Sequence, residues 1–260
     1  MTNIFSRGLP HGNGASGGGP GSPRQNGDDA GRSEGDRDLT LSIRGVRADA
    51  GEEPGEIRVE ITTTRGVITV YLLPCEGRTG VAVFLGDVGG GSRGPAGEVF
   101  VRLGPELVRA GVTALRVEYR HPGGFEECVL DALAACSFIK GIGAERVVLV
   151  GHSFSGAVAV KAASLANLAK AVIAISPQRY GTFEVDELRK PLLLIHGSND
   201  QVLDPQASRD IYERAREPKH LVILEGAGHG LQERQDDVFG LLRAFVVEYA
   251  ADGRDNSPKA

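Results

Sequence analysis

The sequence predicts an α/β fold built on a mostly parallel, doubly wound sheet of about eight strands, with an antiparallel start. Three observations predict it. Short aliphatic runs (VAVFLG, RVVLV, KAVIAI, PLLLIHG) alternate with longer stretches whose apolar residues recur at helical spacing. Those runs are nearly continuous rather than alternating, as expected of strands covered on both faces. The length, 260 residues with 41% hydrophobic and 24% charged, suffices for one large domain with a well-buried core.

Residues 1–45 are rich in Gly, Ser, Pro, Asn and Asp (HGNGASGGGPGSPRQNGDDAGRSEGD). Such a stretch buries too little apolar surface to offset its ordering entropy, so a disordered tail is expected there. Residues 46–252 form the expected domain, and 253–260 a flexible C-terminal tail. IRVEITTT and VITVYLL flank a Gly-containing turn and predict two neighbouring strands. VAVFLG is a strand, 98–110 a helix ending before Gly111, and VTALRVEY the next strand. Phe125, Cys128, Val129, Ala132, Leu133, Cys136 and Ile139 line one stripe of a helix over 125–140. RVVLV is a strand, SGAVAVKAASLA a helix, KAVIAI and PLLLIHG strands. A helix over 206–216, the strand HLVILEG and a closing helix over 233–250 follow; Val238, Leu241, Leu242, Phe245, Val246 and Tyr249 form the last stripe. Only about fifteen residues separate KAVIAI from PLLLIHG, too few for a lid domain, since a domain needs roughly 50 or more.

The net charge of −5, without a basic face, argues against nucleic acid as a partner. No window approaches the ~18 apolar residues of a membrane span, and the N-terminus has no charged-then-apolar leader pattern. The three cysteines, Cys75, Cys128 and Cys136, form no CxxC and read as buried free thiols in a reducing compartment, so a cytoplasmic location is expected.

The stretch Gly151-His152-Ser153-Phe154-Ser155-Gly156 lies between a strand and a helix. In open α/β sheets ligands bind at the carboxyl ends of strands. A nucleophile on so sharp a turn needs small residues two positions to either side, and Gly151 and Ser155 occupy those places. The stretch resembles the G-x-S-x-G nucleophile elbow of α/β hydrolases, with Ser155 where that pattern has Gly. Taken alone, Ser153 could equally cap the following helix. A serine hydroxyl is a weak nucleophile and needs a base oriented by a carboxylate. In α/β hydrolases the chain order is Ser, Asp or Glu, His. Asp200 follows the strand PLLLIHG, and His229 sits in the Gly-rich loop after HLVILEG. Ser153, Asp200 and His229 are therefore the expected catalytic residues. Asp204 is a weaker acid candidate, better placed as the cap of the helix that follows. His152 is expected to point away from the site, and His196 and His220 to be structural and superficial respectively.

The oxyanion of an acyl-transfer site needs two donors. The first expected donor is the N–H of Phe154, directly after the nucleophile. The second comes from the loop Gly86-Asp87-Val88-Gly89-Gly90-Gly91-Ser92-Arg93-Gly94; by position it is Asp87 or Val88, with Asp87 expected. Val88, Arg93 and His121 are candidate substrate contacts, and Arg93, Arg120 and His121 are candidates for attracting an anionic substrate. The same loop matches G-x-G-x-x-G, but the phosphate turn of a dinucleotide fold should follow its strand directly, and here three residues intervene. No Lys follows the glycines and no metal-ligand spacing occurs, so no cofactor and no metal are expected.

Together the elbow, the loop HGSND and the loop GAGHG make residues 56–250 similar to a compact α/β hydrolase of the dienelactone-hydrolase-like or serine-aminopeptidase-like branch. The resemblance implies a serine hydrolase acting without cofactor on a small acyl substrate, a carboxylic ester first. A peptidase or thioesterase with the same triad, and a non-catalytic binding protein on the same scaffold, are the alternatives. True dienelactone hydrolases use Cys where this chain has Ser153.

Overall fold

The structure, a computed structural model, describes residues 40–252. Nearly all of the expected N-terminal tail, and residues 253–260, lie outside the described residues. The strands are β1 Ile43–Ala50, β2 Ile57–Thr63, β3 Gly66–Leu73, β4 Gly80–Leu85, β5 Thr113–Glu118, β6 Arg146–His152, β7 Ala169–Ile175, β8 Leu192–Gly197 and β9 Lys219–Leu224. The helices are α1 Pro95–Arg109, α2 Phe125–Gly141, α3 Phe154–Leu165, α4 Gln206–Arg214 and α5 Gln235–Ala250. All nine strands form one sheet in the order β1-β2-β3-β5-β4-β6-β7-β8-β9. Pairings from β1 to β5 through β2 and β3 are antiparallel, and the rest are parallel.

Two apolar layers sandwich the sheet. On one face Leu115, Val117 and Leu149 pack with Cys128, Val158 and Ile211 from α2, α3 and α4. On the other Phe84, Val148 and Ile173 pack with Phe100 of α1 and Leu242 of α5. The expected helical stripes of α2 and α5 face these layers, because burying an apolar stripe is what holds a helix to a sheet. The parallel strands run away from β4 in both directions, to β5 on one side and β6 on the other. The crevice at their carboxyl ends is where such sheets bind ligands, and here it lies between Gly86 and Ser153.

One strand was not expected. β1 begins at Ile43, inside the stretch read as tail, and all eight of its residues are exposed. It is held by backbone pairing with β2. A strand with neither face buried carries no apolar alternation, so its sequence (IRGVRADA) gives no signal. The helix expected from 98 is regular from Val99 onward: Ala96, Gly97 and Glu98 form a left-handed turn at φ 49°, 68° and 58°. The Ala96 N–H donates to Gly230 O at 2.8 Å, joining this turn to the histidine loop. Between β7 and β8 there is one short 3₁₀ turn, Val185–Glu187, and no lid domain.

Candidate active site

β6 delivers Ser153 onto α3 through a turn with little freedom. A Cβ at Gly151 would lie 1.9 Å from the Ser155 carbonyl oxygen, so the close crossing of strand and helix requires glycine there. Ser153 itself sits at φ 55°, ψ −120°, a conformation that costs a non-glycine residue about 1–3 kcal/mol. Its N–H donates to Ile175 O at 2.8 Å, which holds the turn against β7. The Ser153 side chain makes no capping hydrogen bond to α3. Its Oγ lies 3.0 Å from His229 Nε2 instead.

His229 Nδ1 lies 2.7 Å from Asp200 Oδ2. A carboxylate only accepts, so Nδ1 carries the proton and Nε2 is free to accept from the serine hydroxyl. The Asp200 side chain is fully buried. Burial alone would raise its pKa. The N–H groups of Leu203 and Val202, at 2.9 and 2.8 Å, and the His229 ring outweigh that and hold the carboxyl below the usual range. The loop after β8 thus keeps a charge under the histidine. Asp204 caps α4 as expected, accepting from the Gln206 N–H at 2.8 Å.

His196 is more than a filler. Its Nε2 lies 3.0 Å from Asp200 Oδ2 and 3.0 Å from Leu203 O, both acceptors, so Nε2 is protonated and donates. Its Nδ1 then accepts from Ser208 Oγ at 2.7 Å. Burial lowers its pKa, keeping this ring neutral. A neutral donor fixes the carboxylate without competing for its charge.

His152 corrects an expectation. It does not point away: its Nε2 donates to His229 O at 3.1 Å, its ring centroid is 4.8 Å from that of His229, and its Nδ1 lies 3.7 Å from Asp87 Oδ1. The reason is strand parity. His152 shares a face with Val148 and Val150, which pack in the layer that also holds Ala227 and Leu231 of the histidine loop. Ser176, at φ 42° after β7, gives His229 O a second donor at 3.2 Å.

The oxyanion side also departs from expectation. The Asp87 N–H donates to Gly91 O at 3.0 Å, and the Gly90 N–H to Asp87 O at 3.1 Å. Gly90 and Gly91, at φ 89° and 88°, fold the loop back on itself. The Asp87 amide is therefore already occupied, whereas among the described hydrogen bonds neither the Phe154 nor the Val88 N–H is a donor. Ser155, the departure from the elbow pattern, is fully buried. Its Oγ donates to Gly86 O at the root of this loop and accepts from Tyr119 Oη at 3.0 Å. The sequence reading missed Tyr119 and the use of Ser155.

The remaining candidates divide. Val88 is exposed at the mouth, and its side chain approaches Gly123 in the turn that follows His121, which is also exposed. Arg93 is paired with Glu53 and Glu98 at 2.9 Å each. Arg120 is 2% exposed and paired with Asp131 and Glu127, so it faces no substrate. His220 is exposed on β9. Cys128 and Cys136 are buried on α2 and Cys75 half-buried; burial pushes the Cys136 thiol up to about 12, far from thiolate chemistry.

The fold is that of the α/β hydrolases. The dienelactone hydrolase from Anabaena variabilis aligns over 75% of this chain and 98% of its own, at 19% identity and a TM-score of 0.66. A Xanthomonas campestris protein described as an a/b serine hydrolase without lid aligns over 79% of this chain and 100% of its own, at 20% identity and a TM-score of 0.61. Residues 179–236 match the family model described as serine aminopeptidase, S33. The chain is 31% identical over 65 residues to alpha/beta hydrolase domain-containing protein 17B of Xenopus laevis, a stretch covering 25% of this chain and 23% of that one. The likeness to these two solved structures is one of fold. No helix among the described residues is long and apolar enough to cross a membrane.

Proposed function

We propose that the protein is a serine hydrolase that cleaves carboxylic esters through an acyl-enzyme on Ser153. The observation that carries the reading is the continuous chain from Ser153 Oγ to His229 Nε2 (3.0 Å) and from His229 Nδ1 to the buried Asp200 carboxylate (2.7 Å). His229 takes the hydroxyl proton as Oγ attacks the acyl carbon. Asp200 holds the ring in its tautomer and stabilises the imidazolium. The carbonyl oxygen becomes an oxyanion held by the N–H groups of Phe154 and Val88, neither of which donates among the described hydrogen bonds. His229 then gives its proton to the departing alcohol. Water, deprotonated by the same ring, attacks the acyl-enzyme and releases the acid.

An ester is favoured over an amide because an alcohol leaves with less help, and among the described residues no lid domain encloses a demanding substrate. The dienelactone hydrolase that shares the fold is, by its name, a hydrolase of a cyclic ester. The serine aminopeptidase match spans Asp200 and His229 and supports a peptidase as the second reading. A panel of p-nitrophenyl esters and aminoacyl-p-nitroanilides separates the two. The direct test is fluorophosphonate labelling of the wild type and of Ser153→Ala, His229→Ala and Asp200→Asn, with the adduct located by mass spectrometry. The expected result is an adduct on Ser153 that is lost in Ser153→Ala and falls by orders of magnitude in His229→Ala. Absence of any adduct on folded wild-type protein overturns the proposal.

A further inference from the structure

Aromatic residues are sparse in this chain: 5% of residues, with no Trp. Yet four of them form one row beside the nucleophile. Phe154, which follows Ser153, meets Phe125 edge to face at 6.0 Å between centroids; Phe125 meets Tyr180 at 5.5 Å, and Tyr180 meets Phe183 at 6.3 Å. The row starts buried and ends in solvent, with Tyr180 57% and Phe183 65% exposed. Val88 and Val202, also more than half exposed, lie on the loops after β4 and β8, at the same carboxyl edge of the sheet. Tyr180 and Phe183 stand in ring contact in solvent, and exposed apolar surface that is contiguous marks a binding site more often than a bare face.

The segment that carries the row is braced. The Gln178 N–H donates to Ser153 O at 3.3 Å, and Gln178 Nε2 to Tyr180 O at 3.2 Å, so Tyr180 is two residues from a direct contact with the nucleophile. Arg214 Nη1 donates to Thr182 O at 2.7 Å, and the Thr182 side chain is bonded to Arg179 O at 2.7 Å. A Cβ at Gly181, which sits at φ 85°, would lie 2.3 Å from the Phe125 ring, so the segment is seated directly on that ring. Two exposed rings on a fixed platform are presented, not merely left over.

We infer that this row is the acyl-binding wall, and that the preferred substrates are esters whose acyl group carries an aromatic ring. The inference rests on the serine-hydrolase reading and names its substrate class. Successive rings meet edge to face, the arrangement aromatic pairs prefer. A substrate ring entering beside Phe125 and Tyr180 extends the row, whereas an alkyl chain gains burial without that geometry.

The test uses p-nitrophenyl acetate, hexanoate and 3-phenylpropanoate, which share one leaving group. The readout is the ratio of kcat/KM for phenylpropanoate over hexanoate. Wild type should favour phenylpropanoate by about tenfold, the scale of one well-matched apolar contact. Tyr180→Ala and Phe183→Ala should each lower the ratio by about three- to tenfold, while Tyr180→Phe keeps the ring and the ratio. Ile142→Ala, an exposed apolar residue after α2, should leave it unchanged. Equal or faster cleavage of hexanoate overturns the inference and points to aliphatic substrates, as does a ratio that Tyr180→Ala does not move. If no ester is hydrolysed and Ser153 takes no fluorophosphonate, the serine-hydrolase reading fails and the inference with it. Labelling of Ser153 with a flat ester profile sinks the inference alone.

Discussion

Ser155→Gly converts the elbow to the residue its pattern ordinarily carries, so the turn itself accepts the change. What it removes is the hydroxyl that joins Tyr119 Oη to Gly86 O. The hydroxyl and the phenol are both enclosed: Ser155 is 0% and Tyr119 7% exposed. Burial raises the Tyr119 pKa well above its usual value, so the phenol keeps its proton and remains a donor. Losing the hydroxyl strands a phenol and a carbonyl. A buried unsatisfied polar group costs about 1–3 kcal/mol, and partial relaxation brings the pair to about the same figure in total. That corresponds to a fall in Tm of about 2–4 °C per kcal/mol for a domain of this size. The larger expected effect is on catalysis. Gly86 immediately precedes the Asp87–Val88 turn, and a Cβ at Gly86 would lie 2.6 Å from Val117 O and 2.7 Å from Gly91 O, so this point of the chain is wedged between β5 and the returning loop. If its carbonyl loses its anchor, the Val88 amide moves off the oxyanion position. Complete loss of one oxyanion donor costs about 2.7–4 kcal/mol of barrier. A displaced donor should cost part of that, giving a fall in kcat of about 10- to 100-fold at little change in KM, since each 1.36 kcal/mol is tenfold. Steady-state ester hydrolysis with an alkyl boronic acid as oxyanion mimic reads both quantities, and the boronate should weaken in step with kcat. Tyr119→Phe removes one bond of the two and should fall between, with the double variant no worse than Ser155→Gly because the residues act as a unit. A Ser155→Gly enzyme that is folded, with kcat and boronate affinity within about twofold of wild type, refutes the claim that this hydroxyl positions the oxyanion loop, a twofold change being only about 0.4 kcal/mol.

Four further outcomes are expected. His152→Ala removes one of two donors to His229 O. Its kcat should fall about 3- to 10-fold with the ester panel order unchanged, because small misplacements of a catalytic group are costly. Gly151→Ala places a methyl 1.9 Å from a backbone oxygen, and should express as insoluble protein or melt more than about 10 °C lower, as large core clashes do. Burial and then hydrogen bonding set two opposite influences on Asp200, but for His196 burial dominates and lowers the pKa. The unfolded histidine takes up a proton at about pH 6.5, before the folded one does. His196 therefore contributes stability above that pH which is lost as pH falls through the folded value. Melting temperatures scanned from pH 7.5 down to 5.5 should decline, and His196→Gln should flatten the decline while lowering the whole curve. Asp200, held low, contributes stability above about pH 3.9 that is lost only in stronger acid.

How much of this was legible in the sequence follows from what each feature leaves in the residue order. The central parallel strands are buried on both faces and write themselves as aliphatic runs, so β4 to β8 and the loops at their carboxyl ends were legible, and with them the positions of Ser153 and Asp200; the half-buried edge strand β9, still aliphatic in HLVILEG, marked the loop of His229. β1 has neither face buried and writes nothing. The Asp87 amide was misread for a different reason. Glycines announce that a loop can turn, but which carbonyl the turn returns to depends on Gly90 and Gly91 both adopting positive φ, and that closes Gly91 O onto the Asp87 N–H. His152 was misread although its signal was present: counting in twos from Val148 and Val150 puts it on the face where the histidine loop packs. Ser155 carries the sharpest lesson. In the sequence it read only as a small residue standing where the elbow pattern has Gly. In the fold the close contact at the crossing falls on Gly151, not on residue 155, which leaves the Ser155 side chain free to point at Gly86 O. A deviation at a position without steric demand is available for a new hydrogen bond, and here that bond runs from α3 to the loop expected to hold the oxyanion.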